Sequence, residues 1–72
     1  MKVFCKLPVA DYGGNILFHG GVEYPVVKEA KYKNGVEYLM VKDENGCLRE
    51  LFMKDKEYRQ HFKVIKEEHD EQ

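Results

Sequence analysis

The first nine residues carry a period-two repeat. Val3, Cys5, Leu7 and Val9 fall on one side of it and Lys2, Phe4, Lys6 and Pro8 on the other, which predicts a strand with one clearly apolar face. Asp11, Tyr12, Gly13, Gly14 and Asn15 follow as a turn of conformationally permissive residues. Ile16, Leu17 and Phe18 resume the apolar run, and His19, Gly20 and Gly21 break or bulge it. Residues 22–31 read as a second, longer strand. Pro25 within it has no N–H to give to a ladder, so its nitrogen side is expected at an edge or a bulge.

Asn34-Gly35 is the sharpest local signal, because this dipeptide suits both central positions of a type I′ turn. A two-residue hairpin there pairs Tyr32 with Glu37, Ala30 with Leu39, Lys28 with Val41 and Val26 with Asp43. Val26, Ala30, Tyr32, Leu39 and Val41 then form a core face, and Val27, Glu29, Lys31, Lys33, Tyr38 and Met40 share the other. Asn45-Gly46 closes the next hairpin in one of two ways. A two-residue turn sends Leu48 and Phe52 inward, whereas a three-residue loop with a glycine bulge sends Cys47, Leu51 and Met53 inward; the bulk of Leu48 and Phe52 favours the former. Alternation then lapses over residues 54–61. Asp55 is placed to cap one short helical or 3-10 turn, with Tyr58 and Phe62 four apart on one side, before Lys63, Val64 and Ile65 close the sheet.

Seventy-two residues make one domain with a thin core, and 43% hydrophobic content is enough to pack it. The domain is expected over residues 1–65. Residues 66–72 hold no apolar side chain and a charge of −3 against +2 for the rest, and are expected as an acidic, disordered tail. Neither half shows the basic excess of a dedicated DNA binder. Apolar runs reach only three or four residues, so no membrane span is expected, and the N-terminus has no signal-peptide core. The two cysteines, Cys5 and Cys47, are far apart and unpaired by motif, which fits a reduced, cytoplasmic setting.

The element order is strand, long loop, strand, tight hairpin, strand, tight hairpin, strand, short helical turn, strand. Closure into a barrel would remove the exposed edges of such a sheet. In its apolar and turn positions the chain resembles the SH3-like small barrels, and more narrowly the small uncharacterised SH3-like proteins of bacteria and their phages. The matching residues are Phe18, Gly21, Tyr24 and Val26, then Tyr38, Val41, Asp43 and Gly46, then Phe52, Phe62 and Val64, over residues 16–65. The resemblance implies a mainly β, five-stranded SH3-like barrel with one short helical or 3-10 turn before the last strand, and a binding role. It carries over no catalytic residue. Tryptophan is absent, and so are the acidic loop and opening motif of proline-peptide-binding SH3 domains, so that ligand is not implied.

The chemistry-bearing residues do not assemble into a motif. Cys5, Cys47, His19 and His61 lack the closely spaced pairs of a structural zinc site. A Cys–His nucleophilic pair needs an exposed, electropositive thiol, and Cys5 sits on an apolar face. Neither glycine-rich stretch has the form of a phosphate loop. No enzyme activity, cofactor or metal is therefore expected. Two binding readings remain. Tyr38 and Met40, with Val27 beside them and Tyr12 in the loop at residues 10–21, form a protein-binding set, as Met and Tyr are enriched at interfaces. Alternatively Lys28, Lys31 and Lys33 with Tyr32 form a weakly basic surface for single-stranded nucleic acid, diluted by Glu23, Glu29 and Glu37. The expected partner is another protein, and homodimerisation through the outer face or the Pro25 edge is open.

Overall fold

The computed structural model describes residues 1–66. The acidic run at 67–72 lies outside the described residues. The chain is mainly β: β1 (Lys2–Cys5), β2 (Val9–Ala10), β3 (Ile16–Phe18), β4 (Glu23–Lys31), β5 (Glu37–Lys42), β6 (Leu48–Leu51), α1 (Lys56–His61) and β7 (Phe62–Ile65). Five strands form an antiparallel sheet in the order β6-β5-β4-β1-β7, and β2 and β3 pair as a separate hairpin. Among the described residues no ladder joins the two edges, β6 and β7. The long strand β4 serves two partners: Tyr24 faces Val3 of β1, and Val26 faces Val41 of β5. Pro25 lies opposite Lys2, one residue before the β5 pairing begins, so its missing N–H costs that ladder nothing.

The core follows the alternation of the strands. Val3, Cys5 and Val41 are fully buried, with Phe18, Tyr24, Leu51 and Phe62 around them. Phe18 packs edge-on against Tyr24 (4.9 Å between centroids) and Phe62 (5.1 Å), which favours the aromatic quadrupoles. The expected alternation ends sooner than the sequence implies. Leu7 is 51% exposed, because the chain leaves β1 after Cys5 and Val9 belongs to the β2–β3 hairpin.

Both Asn-Gly turns are three-residue loops. At the first, the Tyr32 N–H donates to Val36 O and the Gly35 N–H to Tyr32 O, with Gly35 at φ +92°. The ladder is therefore one residue off the two-residue register: Ala30 faces Tyr38 and Lys31 faces Glu37. This moves Tyr32 off the core face and puts Glu29 and Lys31 level with Leu39 and Glu37. A bulge between Val26 and Lys28 absorbs the extra residue, which restores Val26 to the side of Val41. At the second turn the Asp43 N–H donates to Cys47 O, and Gly46 takes φ +83°. Leu51 is inward and 3% exposed, Met53 packs on the core, and Leu48 is outward and 51% exposed. Leu48 and Phe52 are thus not the inward pair, and Cys47 is exposed at the turn.

Nothing lies within 4 Å of a Cβ built on Gly46, so a substitution there meets only its backbone conformation. Gly46→Ala should cost about 1 kcal/mol through the left-handed φ alone. A urea midpoint unchanged from wild type would refute the loop geometry.

Helix α1 spans six residues. Asp55 precedes it in extended conformation, but its side chain makes no capping bond; its carbonyl accepts the Arg59 N–H at 3.2 Å. The helix ends where the Phe62 N–H turns back to Tyr58 O. Tyr58 packs against the core and Phe62 is buried within it, so this short element is held by its two aromatic anchors.

Candidate functional site

The face of the β4–β5–β6 meander that points away from the core carries an arc of aromatic rings. Tyr38 and Met40 alternate with the inward Leu39 and Val41, so they share that outer face. The ladders set Ala30 opposite Tyr38, Lys28 opposite Met40, and Glu50 opposite Met40 on the other side. Tyr32, just beyond β4, lays its ring against Tyr38 at 4.7 Å, and Phe52, just beyond β6, lies 6.0 Å from Tyr38 and 6.3 Å from Tyr32. Tyr58 of α1 extends the arc, meeting Phe52 edge-on at 5.7 Å. Tyr32 is 41% exposed, whereas Tyr38, Met40, Phe52 and Tyr58 are half-buried. The arc is therefore packed enough to be ordered and open enough to be touched.

One polar anchor orients it. The Tyr32 hydroxyl donates to Glu50 Oε1 at 2.6 Å. The bond to this carboxylate, with burial and its charge adding to it, pushes the phenol up to about 12, so Tyr32 stays a neutral donor at any physiological pH. Glu50 also dilutes the positive charge that Lys28 brings to this face.

The structure brings together residues from both sequence-derived sets and separates others. Tyr38, Met40, Tyr32 and Lys28 share the outer face. Lys31 stands opposite Glu37 on the other side of the meander, and Lys33 sits in the turn. Val27 is the extra residue of the bulge, exposed, with Lys28 instead taking the place opposite Met40. Tyr12 is fully exposed at the tip of the β2–β3 loop, which Asp11 holds by accepting the Gly13 and Asn15 N–H groups at 2.9 Å. That hairpin does not cover the arc: Val9 and Leu17 pack against the core. Phe52 and Tyr58 complete the arc and were not singled out from the sequence as site residues. The i, i+4 pairing of Tyr58 with Phe62 anticipates an anchored turn, but not which face the tyrosine meets.

Two partly buried polar contacts brace the scaffold. The Tyr24 hydroxyl accepts the His19 N–H at 2.8 Å and donates to Glu44 Oε2 at 2.5 Å, while the Glu44 N–H donates to Leu17 O, so the β5–β6 turn is tied to β3. Burial and the Glu44 carboxylate push this phenol up to about 12 as well. The Cys5 thiol is buried and donates to Leu7 O at 3.0 Å, and the His61 Nδ1 lies 3.1 Å from the same carbonyl. Desolvation raises the Cys5 pKa, which favours the protonated thiol. Among the described residues no cluster of three or more His, Cys, Asp or Glu side chains is placed to hold a metal ion, and no helix is long and apolar enough to cross a membrane. Comparison with protein-family models, with curated proteins and with solved structures finds no significant match.

Proposed function

We propose that this chain is a non-catalytic interaction module of the SH3-like small-barrel type, a bacterial or phage accessory factor acting in the cytoplasm, and that it binds a partner protein through the outer aromatic face. The observation that carries the binding reading is the cluster of Tyr32, Tyr38 and Phe52 on the same outer sheet face as Met40, with Tyr58 of α1 meeting its Phe52 end. Aromatic and methionine side chains that are ordered yet accessible supply contact area at low entropic cost, and they dominate interface hot spots. The barrel reading draws support from the strand order β6-β5-β4-β1-β7, from a long β4 shared between two ladders, and from a short helix before the last strand. The buried setting of Cys5 supports a non-catalytic role.

Nucleic acid is the weaker reading. Stacking on Tyr32 and Tyr38 beside Lys28 is geometrically available, but Glu50 lies on the same face and Lys31 is turned to the other. A phosphate backbone would meet little net positive charge there.

The test is capture of partners from bacterial lysate by wild type and by Met40→Asp, with folding of the variant verified by circular dichroism. The expected result is a partner held by wild type and lost, at least about tenfold, when a carboxylate replaces the apolar Met40 side chain on this face. Identical partner sets, or none, would count against the reading. Steep, salt-sensitive binding of single-stranded DNA or RNA would replace it with the nucleic-acid reading.

A further inference from the structure

The free edge of β6 borders an open groove of about 480 Å³. Arg49, Glu50 and Leu51 all line it. Successive strand residues point to opposite faces: Glu50 lies beside Met40 on the outer face and Leu51 beside Leu39 on the inner one. The groove thus lies at the edge of the strand on its core side, with Glu50 at the rim. Its far wall is α1 and Phe62 of β7, and Leu17 and Phe18 of β3 give it an apolar floor.

That edge offers backbone groups. The Asp43 N–H donates to Cys47 O, so hydrogen-bonded pairs of the β5–β6 ladder recur at Val41/Arg49 and Leu39/Leu51. The N–H and C=O of Leu48 and Glu50 then point away from β5, and among the described residues no backbone group outside the ladder bonds to them. The rim also has a sign. Arg49 is committed to Asp43 at 2.7 Å, whereas Glu50 and Glu57 have no ion-pair partner among the described residues. An unpaired edge beside an apolar slot accepts an extended chain by strand addition, and two carboxylates without a cationic partner on the rim, Glu57 and the Tyr32-bonded Glu50, favour a cationic one.

We propose that the groove along β6 docks an extended, basic segment of a partner protein. The segment adds as a strand at Leu48 and Glu50, sets an apolar side chain against Val9, Leu17 and Tyr58, and places lysine or arginine beside Glu50 and Glu57. This site is centred on the β6 edge and not on the outer aromatic face, with which it shares Glu50 and Tyr58 at the boundary.

The probe is the peptide acetyl-Lys-Val-Lys-Val-Lys-amide, titrated into the isotope-labelled full chain and followed by amide chemical shifts. Saturable shifts are expected at Leu17, Leu48, Glu50 and Tyr58. The glutamate counterpart of the peptide should leave them unmoved. N-methylation of the peptide amides that face the strand should weaken binding about tenfold, because the ladder donors are gone while charge and side chains are kept. Glu57→Gln, on an exposed helical position, should weaken it about threefold without changing the fold. Absence of saturable shifts, equal binding of the acidic or N-methylated peptide, or shifts confined to Tyr32 and Tyr38 would overturn the proposal. Concentration-dependent shifts at the β6 edge without peptide would assign that edge to a second copy of the chain and overturn it too.

Discussion

Phe18→Ala is expected to abolish the cooperative fold. Phe18 is almost fully buried, and its ring stands edge-on between Tyr24 and Phe62, so it joins the β2–β3 hairpin to β4 and β7. Truncating a buried phenylalanine costs about 3–5 kcal/mol, the transfer term plus the cavity left behind. A single core of this size supplies only about 3–5 kcal/mol of net stability. The two magnitudes are comparable, so thermal unfolding of the variant should show no sharp transition, and its chemical shifts should collapse toward unfolded values. Phe18→Leu, which keeps most of the volume, should stay folded at a lower melting temperature. A Phe18→Ala protein melting within a few degrees of wild type would mean that the ring is not the keystone its contacts indicate. Phe18 also floors the groove along β6, so the leucine variant is the one to use in binding work.

The element order and the central core were legible because period-two patterning reports burial directly. Val3, Cys5 and Val41 stand on apolar faces in the sequence and are fully buried in the fold. Register was less legible, for a physical reason. Asn-Gly serves a two-residue turn, but it also serves a three-residue loop in which the glycine takes the left-handed position. What selects the longer loop is a side-chain oxygen: Asn34 Oδ1 accepts the Val36 N–H, and Asp43 Oδ1 accepts those of Asn45 and Cys47. A one-residue slip exchanges the two faces of a strand, which is why Leu51 replaces Leu48 inside. At β4 the slip is hidden from the core, because the bulge beside Val26 cancels it there. It remains visible only from Lys28 onward, where it gathers Tyr32 and Tyr38 on one face.

That slip has a functional consequence. In the two-residue register Tyr32 would be a core residue and the outer face would hold Tyr38 and Met40 with charged neighbours. In the observed register Tyr32 joins them, and Phe52 and Tyr58 complete an aromatic surface. The place of Tyr58 at the end of the arc depends on where α1 docks, a tertiary fact without a local signature. The groove at the β6 edge depends on the distance between two strands remote in sequence, and is equally invisible to pattern reading. Both surfaces meet at Tyr58 and Glu50, which touch the arc and the groove alike.

The β5–β6 turn rests on one buried carboxylate, and its loss should be the second large effect. The Asp43 side chain is completely covered, yet every contact it makes suits a charge. Oδ1 accepts the Asn45 N–H at 2.8 Å and the Cys47 N–H at 2.9 Å, and Oδ2 accepts Arg49 Nε at 2.7 Å. Burial alone would raise its pKa, but the Arg49 guanidinium and the two backbone donors outweigh burial and hold the carboxyl below the ordinary aspartate range. Asp43→Ala removes the acceptor of two turn N–H groups and leaves Arg49, 44% exposed, without its partner, and should cost about 2–4 kcal/mol, a large share of the domain's stability. Asp43→Asn keeps an acceptor for the turn and loses only the charge, so it should cost less. The pH dependence separates the two roles. A carboxyl whose pKa is depressed by folding contributes stability that is fully present above its unfolded value, about 3.9, and that is lost as pH falls through the lower folded value. Wild type should therefore lose stability as pH falls below about 4 more steeply than Asp43→Asn, whose curve lacks this titration. Urea unfolding at neutral pH and at about pH 3 measures both. Parallel wild-type and Asp43→Asn curves would mean that the Arg49 pair adds nothing and that the turn is held by its backbone bonds alone.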